Sequence, residues 1–116
     1  MTTTMYGIPN CDTIKKAQKW LKENDIAFTF HDYRKDGLDE DLLAQFYAVS
    51  SWGELLNKRS TSYRALTEQQ KETLDETTVK ALFIDSPTLI KRPLIIHNGA
   101  AIVGFNVKKY QSFFAV

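Results

Sequence analysis

The chain has 116 residues, 43% of them hydrophobic and 25% charged, which fits one compact domain with a packed core and fits neither a disordered nor a fibrous chain. Fifteen Lys and Arg against fourteen Asp and Glu give a net charge of +1, with no basic footprint for nucleic acid or an anionic membrane. The amino terminus, Met1-Thr2-Thr3-Thr4-Met5, lacks a basic region followed by an apolar run, and no later run is apolar long enough to span a bilayer, so a cytoplasmic location is expected. A single cysteine, Cys11, excludes an internal disulfide and speaks against a secreted, disulfide-stapled domain.

Along the chain, Thr2 to Tyr6 has the β-branched and aromatic content of a short strand, which the breakers Gly7-Ile8-Pro9-Asn10 end in a tight loop. From Asp12, Ile14, Ala17, Trp20 and Leu21 recur at helical spacing while Lys15, Lys16, Lys19 and Lys22 fall on other faces, predicting an amphipathic helix to about Asn24. Ile26, Phe28 and Phe30 alternate with Ala27, Thr29 and His31, the period of a half-buried strand that His31 follows. Two strands joined by a helix are parallel and connected right-handedly, the unit of an α/β sheet.

After the turn Arg34-Lys35-Asp36-Gly37, Leu42, Leu43, Phe46 and Val49 predict a second helix with acidic residues in its first turn. Thr67-Glu68-Gln69-Gln70 reads as a capping box opening a helix through Leu74, and Thr77 to Ile84 reads as another. Trp52 to Arg64 is open between loop and short helix. Leu94-Ile95-Ile96-His97 and Ala101-Ile102-Val103 flank Asn98-Gly99, a strong hairpin signal because both turn residues tolerate positive φ. Asn106 can cap a last helix carrying Val107, Tyr110 and Phe113 inward. The order βαβ, helical insert, ββα is that of the thioredoxin fold: one α/β domain over residues 1–116 with a helical insert at roughly 38–91.

Gly7-Ile8-Pro9-Asn10-Cys11-Asp12-Thr13 places a thiol where a strand turns into a helix. Several unpaired backbone amides and the positive helix end face a sulfur there, an arrangement that favours thiolate over thiol. Thr13 and Lys15 add a hydroxyl donor and a positive charge, whereas the Asp12 carboxylate opposes them. The competing reading of a lone cysteine, a small buried hydrophobe, suits a polar loop with breakers poorly. A dithiol oxidoreductase would carry a second cysteine where this chain has Ile14, so a redox Cys11 needs an external resolving thiol. Glutathione is the abundant candidate: Cys11 attacks an oxidised substrate and glutathione releases the mixed disulfide.

Arg92-Pro93 stands immediately before the hairpin, where proline removes a donor the ladder does not need. Arg92 has the geometry to bind a carboxylate or oxyanion bidentately and is equally readable as a solvated charge. Lys58, Arg59 and Arg64 form a basic cluster that is either an anion site or a solvated face. No metal-ligand spacing and no Gly-rich phosphate loop appears.

Together, Tyr6-Gly7-Ile8-Pro9-Asn10-Cys11-Asp12-Thr13, the helical middle, and Leu89-Ile90-Lys91-Arg92-Pro93-Leu94-Ile95 resemble the ArsC-like, or arsenate reductase-like, family, and most closely its YffB branch; the Spx regulators are relatives. The resemblance implies a thioredoxin-like fold with an inserted helical subdomain, Cys11 as the nucleophile, Arg92 as an active-site residue, and a cis proline at Pro93. It further implies a substrate- or glutathione-binding role for Asn10, Thr13, Arg59 and Pro93, glutathione as co-substrate, and no metal. Arsenate reductases of the family carry an oxyanion-binding arginine just after the last strand, where this chain has Phe105, which counts against arsenate. The expectation is a glutathione-dependent, monomeric thiol reductase acting on an oxidised small molecule or protein. The alternatives are an arsenate reductase, or an Spx-like redox-sensing regulator that binds RNA polymerase.

Overall fold

The computed structural model describes residues 3–116, so Thr2, placed by the sequence reading in the first strand, lies outside the described residues. The chain forms two compact units: the residues up to Gly37 together with Arg92–Val116, and Leu38–Lys91.

The first unit is built on a four-stranded mixed sheet in the order β2-β1-β3-β4. β1 (Thr3–Gly7) lies parallel to β2 (Thr29–Asp32) and antiparallel to β3 (Leu94–His97), and β3 is antiparallel to β4 (Ala100–Val103). Register aligns one residue from each strand into a row, Phe30–Met5–Ile95–Ile102. That row faces helices α1 (Asp12–Glu23) and α7 (Val107–Phe114), and Ile14, Ala17, Leu21 and Tyr110 close over it with no exposed surface. The Ile14, Ala17 and Leu21 spacing puts all three on one face of α1, which is why this helix lies flat on the sheet.

Asn98 and Gly99, at φ 51° and 76°, form the hairpin turn that the Asn-Gly pair predicts. Asn106 caps α7 through its side chain, which accepts from the Lys109 amide at 3.0 Å. The inward face of α7 differs from the expected one: Val107 is 44% exposed, while Tyr110 is buried and Phe114 packs beside it. Trp20 meets Tyr110 edge-on at 5.4 Å between ring centroids, and a face centred on Tyr110 and Phe114 follows.

The second strand also differs. Ile26 and Phe28 pack against the core but precede β2, whose four residues pair with Thr4 to Gly7 of β1, and His31 lies within it rather than after it. His31 stacks against Tyr6 and its Nε2 meets the Gly37 carbonyl at 2.8 Å, while the Asp36 carboxylate accepts from the Asp32 amide, so the turn is held across its base.

The second unit is helical: α2 (Glu40–Val49), α3 (Trp52–Leu55), α4 (Thr61–Arg64), α5 (Glu68–Glu72), α6 (Glu76–Asp85) and a 3-10 turn at Pro87–Leu89. Leu43, Phe46, Leu55, Val79 and Phe83 are buried along α2, α3 and α6, and α6 packs against both of the others. The stretch Trp52 to Arg64 resolves into two single-turn helices with Ser51 and Ser60 as side-chain N-caps. The capping box at Thr67 and Gln70 forms as read, but its helix ends at Glu72 rather than at Leu74. A bridge between Leu56 and Ile90, flanked by bonds from Asn57 N to Leu89 O and Lys91 N to Leu55 O, both 2.7 Å, ties the end of this unit to the segment after α3.

Candidate functional site

Cys11 is the N-cap residue of α1, in extended conformation at φ −127° and ψ 128°. The first intrahelical bond, Lys15 N to Cys11 O at 3.0 Å, leaves the amides of Asp12, Thr13 and Ile14 without an intrahelical acceptor. An ordinary N-cap side chain would accept one of these amides, but the cysteine side chain makes no cap hydrogen bond. The helix therefore begins with three amides that no helical carbonyl takes up, next to a half-buried cysteine that packs against the core.

The glycine before the loop lets α1 begin this close to the sheet. A Cβ on Gly7 would stand 3.4 Å from Ile14 Cγ1 and would overlap Ile14 Cδ1, so the first turn of α1 and the end of β1 meet through the missing side chain. The Tyr33 amide continues the ladder by donating to the Gly7 carbonyl at 3.0 Å, which fixes that strand end from the other side. Burial raises the phenols of Tyr6 and Tyr33 above their ordinary value, Tyr33 the more, with Tyr6 adding to the effect on Tyr33.

Pro93 stands one residue and Arg92 two residues beyond the Tyr6–Leu94 pair, at the same end of the sheet at which β1 delivers the cysteine loop. Their peptide bond is cis. The Pro93 carbonyl accepts from the Gly104 amide at 2.9 Å, and Gly104, at φ 78°, turns the chain so that Phe105 follows β4 into the core cluster to which Cys11 also packs. Tyr110 donates to the Gly104 carbonyl at 2.5 Å and stacks edge-on against Phe105, holding this turn.

Of the residues singled out from sequence, the structure puts Asn10, Cys11, Thr13, Arg92 and Pro93 at one end of the first unit's sheet. Asn10 is exposed, Cys11, Thr13 and Arg92 are half-buried, and Pro93 is buried. Arg59 belongs to the second unit, where it is exposed and its amide donates to Asn57 Oδ1 at 3.1 Å. Sequence reading missed the roles of Gly7 and Tyr110: the signal for the first was a glycine ending a strand, and for the second a tyrosine six residues after a glycine, too weak to act on alone. Among the described residues, no group of His, Cys, Asp and Glu could hold a metal ion, and no helix is long and apolar enough to cross a membrane.

A four-stranded mixed sheet with a cysteine at the β1–α1 junction and a cis proline opening β3 is a thioredoxin-like arrangement. The ArsC family model matches residues 6–113, and the chain belongs to that family. An uncharacterized protein of Haemophilus influenzae is 53% identical over 112 residues, covering 97% of this chain and 98% of its own. The global transcriptional regulator Spx of Staphylococcus aureus is 29% identical over 112 residues, covering 95% of this chain and 85% of its own. Among solved structures, a YFFB protein superimposes with a TM-score of 0.88 at 40% identity, covering 96% of this chain and 97% of its own. An arsenate reductase (ArsC) related protein from Brucella melitensis gives 0.81, also at 40% identity, covering 100% and 97%.

Proposed function

We propose that this protein is a glutathione-dependent thiol reductase with Cys11 as its nucleophile. The observation that carries the reading is the half-buried Cys11 at the N-cap of α1, its side chain outside the cap hydrogen bonding and three amides free of intrahelical acceptors behind it. In the reaction the Cys11 thiolate attacks a sulfur of an oxidised substrate, forming a mixed disulfide and releasing the other sulfur as a thiolate. Glutathione thiolate then attacks a disulfide sulfur and regenerates Cys11. With Cys11 the one cysteine of the chain, no internal thiol competes for the intermediate. Arg92 is the natural holder of an anionic group beside the thiol, and Asn10, Thr13 and Pro93 shape the loop around it. Relationship to an arsenate reductase-related protein supports reductase chemistry, whereas the packed Phe105 in place of an oxyanion-binding arginine argues against arsenate as substrate.

The test is intact mass spectrometry after exposure to oxidised glutathione. One glutathione adduct, removed by excess reduced glutathione and absent in Cys11→Ser, is the expected result. A Cys11 that forms no adduct overturns the proposal.

The likeness to Spx supports a second reading, a regulator that contacts RNA polymerase. Ile14 stands where a dithiol switch would need its second cysteine, which favours the enzyme. Enrichment of polymerase subunits on the immobilised protein, with no turnover of glutathione, would favour the regulator.

A further inference from the structure

The charges are divided unequally between the two units. The first, residues 1–37 and 92–116, holds nine Lys and Arg against five Asp and Glu; residues 38–91 hold six against nine. Four of the nine cations are on α1, all exposed. At about 100° per residue, and taking Cys11 as zero, Lys22 lies at about 20°, Lys15 at about 40° and Lys19 at about 80°. Gln18 completes this stripe, and the two carboxylates of α1, Asp12 and Glu23, lie on the flank beyond it. The core residues Ile14, Ala17 and Leu21 fall on the opposite side of the Cys11 direction. The thiol therefore heads an uninterrupted cationic row.

Helix energetics do not account for this row. A cation near the C-terminus complements the macrodipole, which explains Lys22, but Lys15 and Lys19 stand in the second and third turns with no such gain. Nor are they paired, since no ion pair involves them among the described residues. Glutathione does not account for it either. At about 1.5 Å rise per residue the row reaches about 16 Å from Cys11 to Lys22, whereas an extended tripeptide spans only about 10 Å.

Resting on the reductase reading, we infer that the substrate is an acidic polypeptide segment carrying a cysteine in mixed disulfide with glutathione, which docks its carboxylates along Lys15, Lys19 and Lys22 and presents its disulfide to Cys11. The Cys11 thiolate attacks the glutathione sulfur, the substrate cysteine leaves as thiolate, and a second glutathione thiolate attacks the Cys11–glutathione disulfide, giving oxidised glutathione and free Cys11. The exchange balances: the substrate sulfur is reduced to a thiolate as the second glutathione sulfur is oxidised into the released disulfide, and no other reactant is needed. Charge complementarity acts mainly on encounter, so the preference is a rate effect that salt screens.

The experiment uses two synthetic glutathionylated peptides of equal length, one with glutamates and one with glutamines flanking the cysteine, and the full-length protein. At low ionic strength the acidic peptide reacts about tenfold faster, and the ratio falls toward one at high salt. Lys19→Gln/Lys22→Gln abolishes the preference and leaves the rate with oxidised glutathione at high salt unchanged. Equal rates for the two peptides at low salt, or a preference that survives the double variant, overturn the inference while leaving the reductase standing. A Cys11 inert to oxidised glutathione and to both peptides overturns the two together. Low-salt self-association that the double variant removes would assign the row to a second copy of the chain, and retention of a DNA duplex that it removes would assign it to phosphate; either result overturns docking of a polypeptide.

Discussion

Adding a single methyl group at Gly7 tests how the fold sets the position of the thiol. In Gly7→Ala the new Cβ would overlap Ile14 Cδ1 and lie 3.4 Å from Cγ1, and Ile14 has no free space, being fully buried among Met5, Ala17, Leu21, Ile95 and Tyr110. Forcing extra volume into such a core costs about 1–3 kcal/mol. Gly7 is not at positive φ, so alanine also gains ~0.4–1 kcal/mol by restricting the unfolded chain, and the net loss is about 1–2 kcal/mol. Ile14→Val removes Cδ1 alone and costs ~0.5–1.5 kcal/mol. If the two atoms compete for one space, the double variant is no less stable than Ile14→Val alone, with a coupling of about 1–2 kcal/mol. Thermal and urea unfolding of the four proteins of the cycle would read this coupling as a double-variant midpoint roughly 3–8 °C above the additive expectation. Additive losses would refute the argument, because Cδ1 would then not be what excludes a side chain at position 7. Gly7→Ala should also slow formation of the glutathione adduct at Cys11, and the double variant should restore it.

Further predictions concern the elements around that site. Asn106→Ala removes the side-chain cap of α7 and should cost about 1 kcal/mol in urea unfolding, with Asn106→Asp retaining most of it. Tyr110→Phe loses the bond to the Gly104 carbonyl and should cost ~0.5–1.5 kcal/mol, with a slower Cys11 reaction if the Gly104 turn supports the site. Burial raises the Tyr6, Tyr33, Tyr47 and Tyr110 phenols, so the unfolded chain ionises first. Stability present below the ordinary tyrosine value is then lost as pH rises above about 10. Ultraviolet titration should show these tyrosines ionising together with unfolding, and Tyr110→Phe should flatten the alkaline decline. Arsenate should give no turnover with glutathione, as followed by arsenite production.

What the sequence made legible was local. The Asn98-Gly99 turn, the Asn106 cap, the Thr67–Gln70 capping box and the apolar face of α1 depend on residues a few positions apart, and all are present. The errors concern partners distant in sequence. Ile26 and Phe28 alternate like a strand, but pairing with β1 begins only at Thr29, and nothing in their own pattern shows that. Val107 carries the helical period as well as Phe114 does, and only the place of Tyr110 over Met5 and Ile95 decides which of them turns inward. The same division holds at the candidate site. Cys11 at a strand–helix junction is visible in six consecutive residues, whereas the overlap of Gly7 with Ile14 and the support of Gly104 by Tyr110 require the packed helices.

The row Phe30–Met5–Ile95–Ile102 also has a consequence during synthesis. β1 emerges first, yet its antiparallel neighbour is β3, and Met5 waits for Ile95. At about 5–20 residues per second, that interval of ~90 residues lasts roughly 5–20 s on the ribosome. Throughout it one edge of β1 is open beside a strand of the sequence TTMYG, while residues 38–91 are already complete in sequence. The nascent chain therefore holds an unpaired strand edge until its final quarter appears, and truncations ending before residue 94 should be captured by chaperones or aggregate where the finished chain is not.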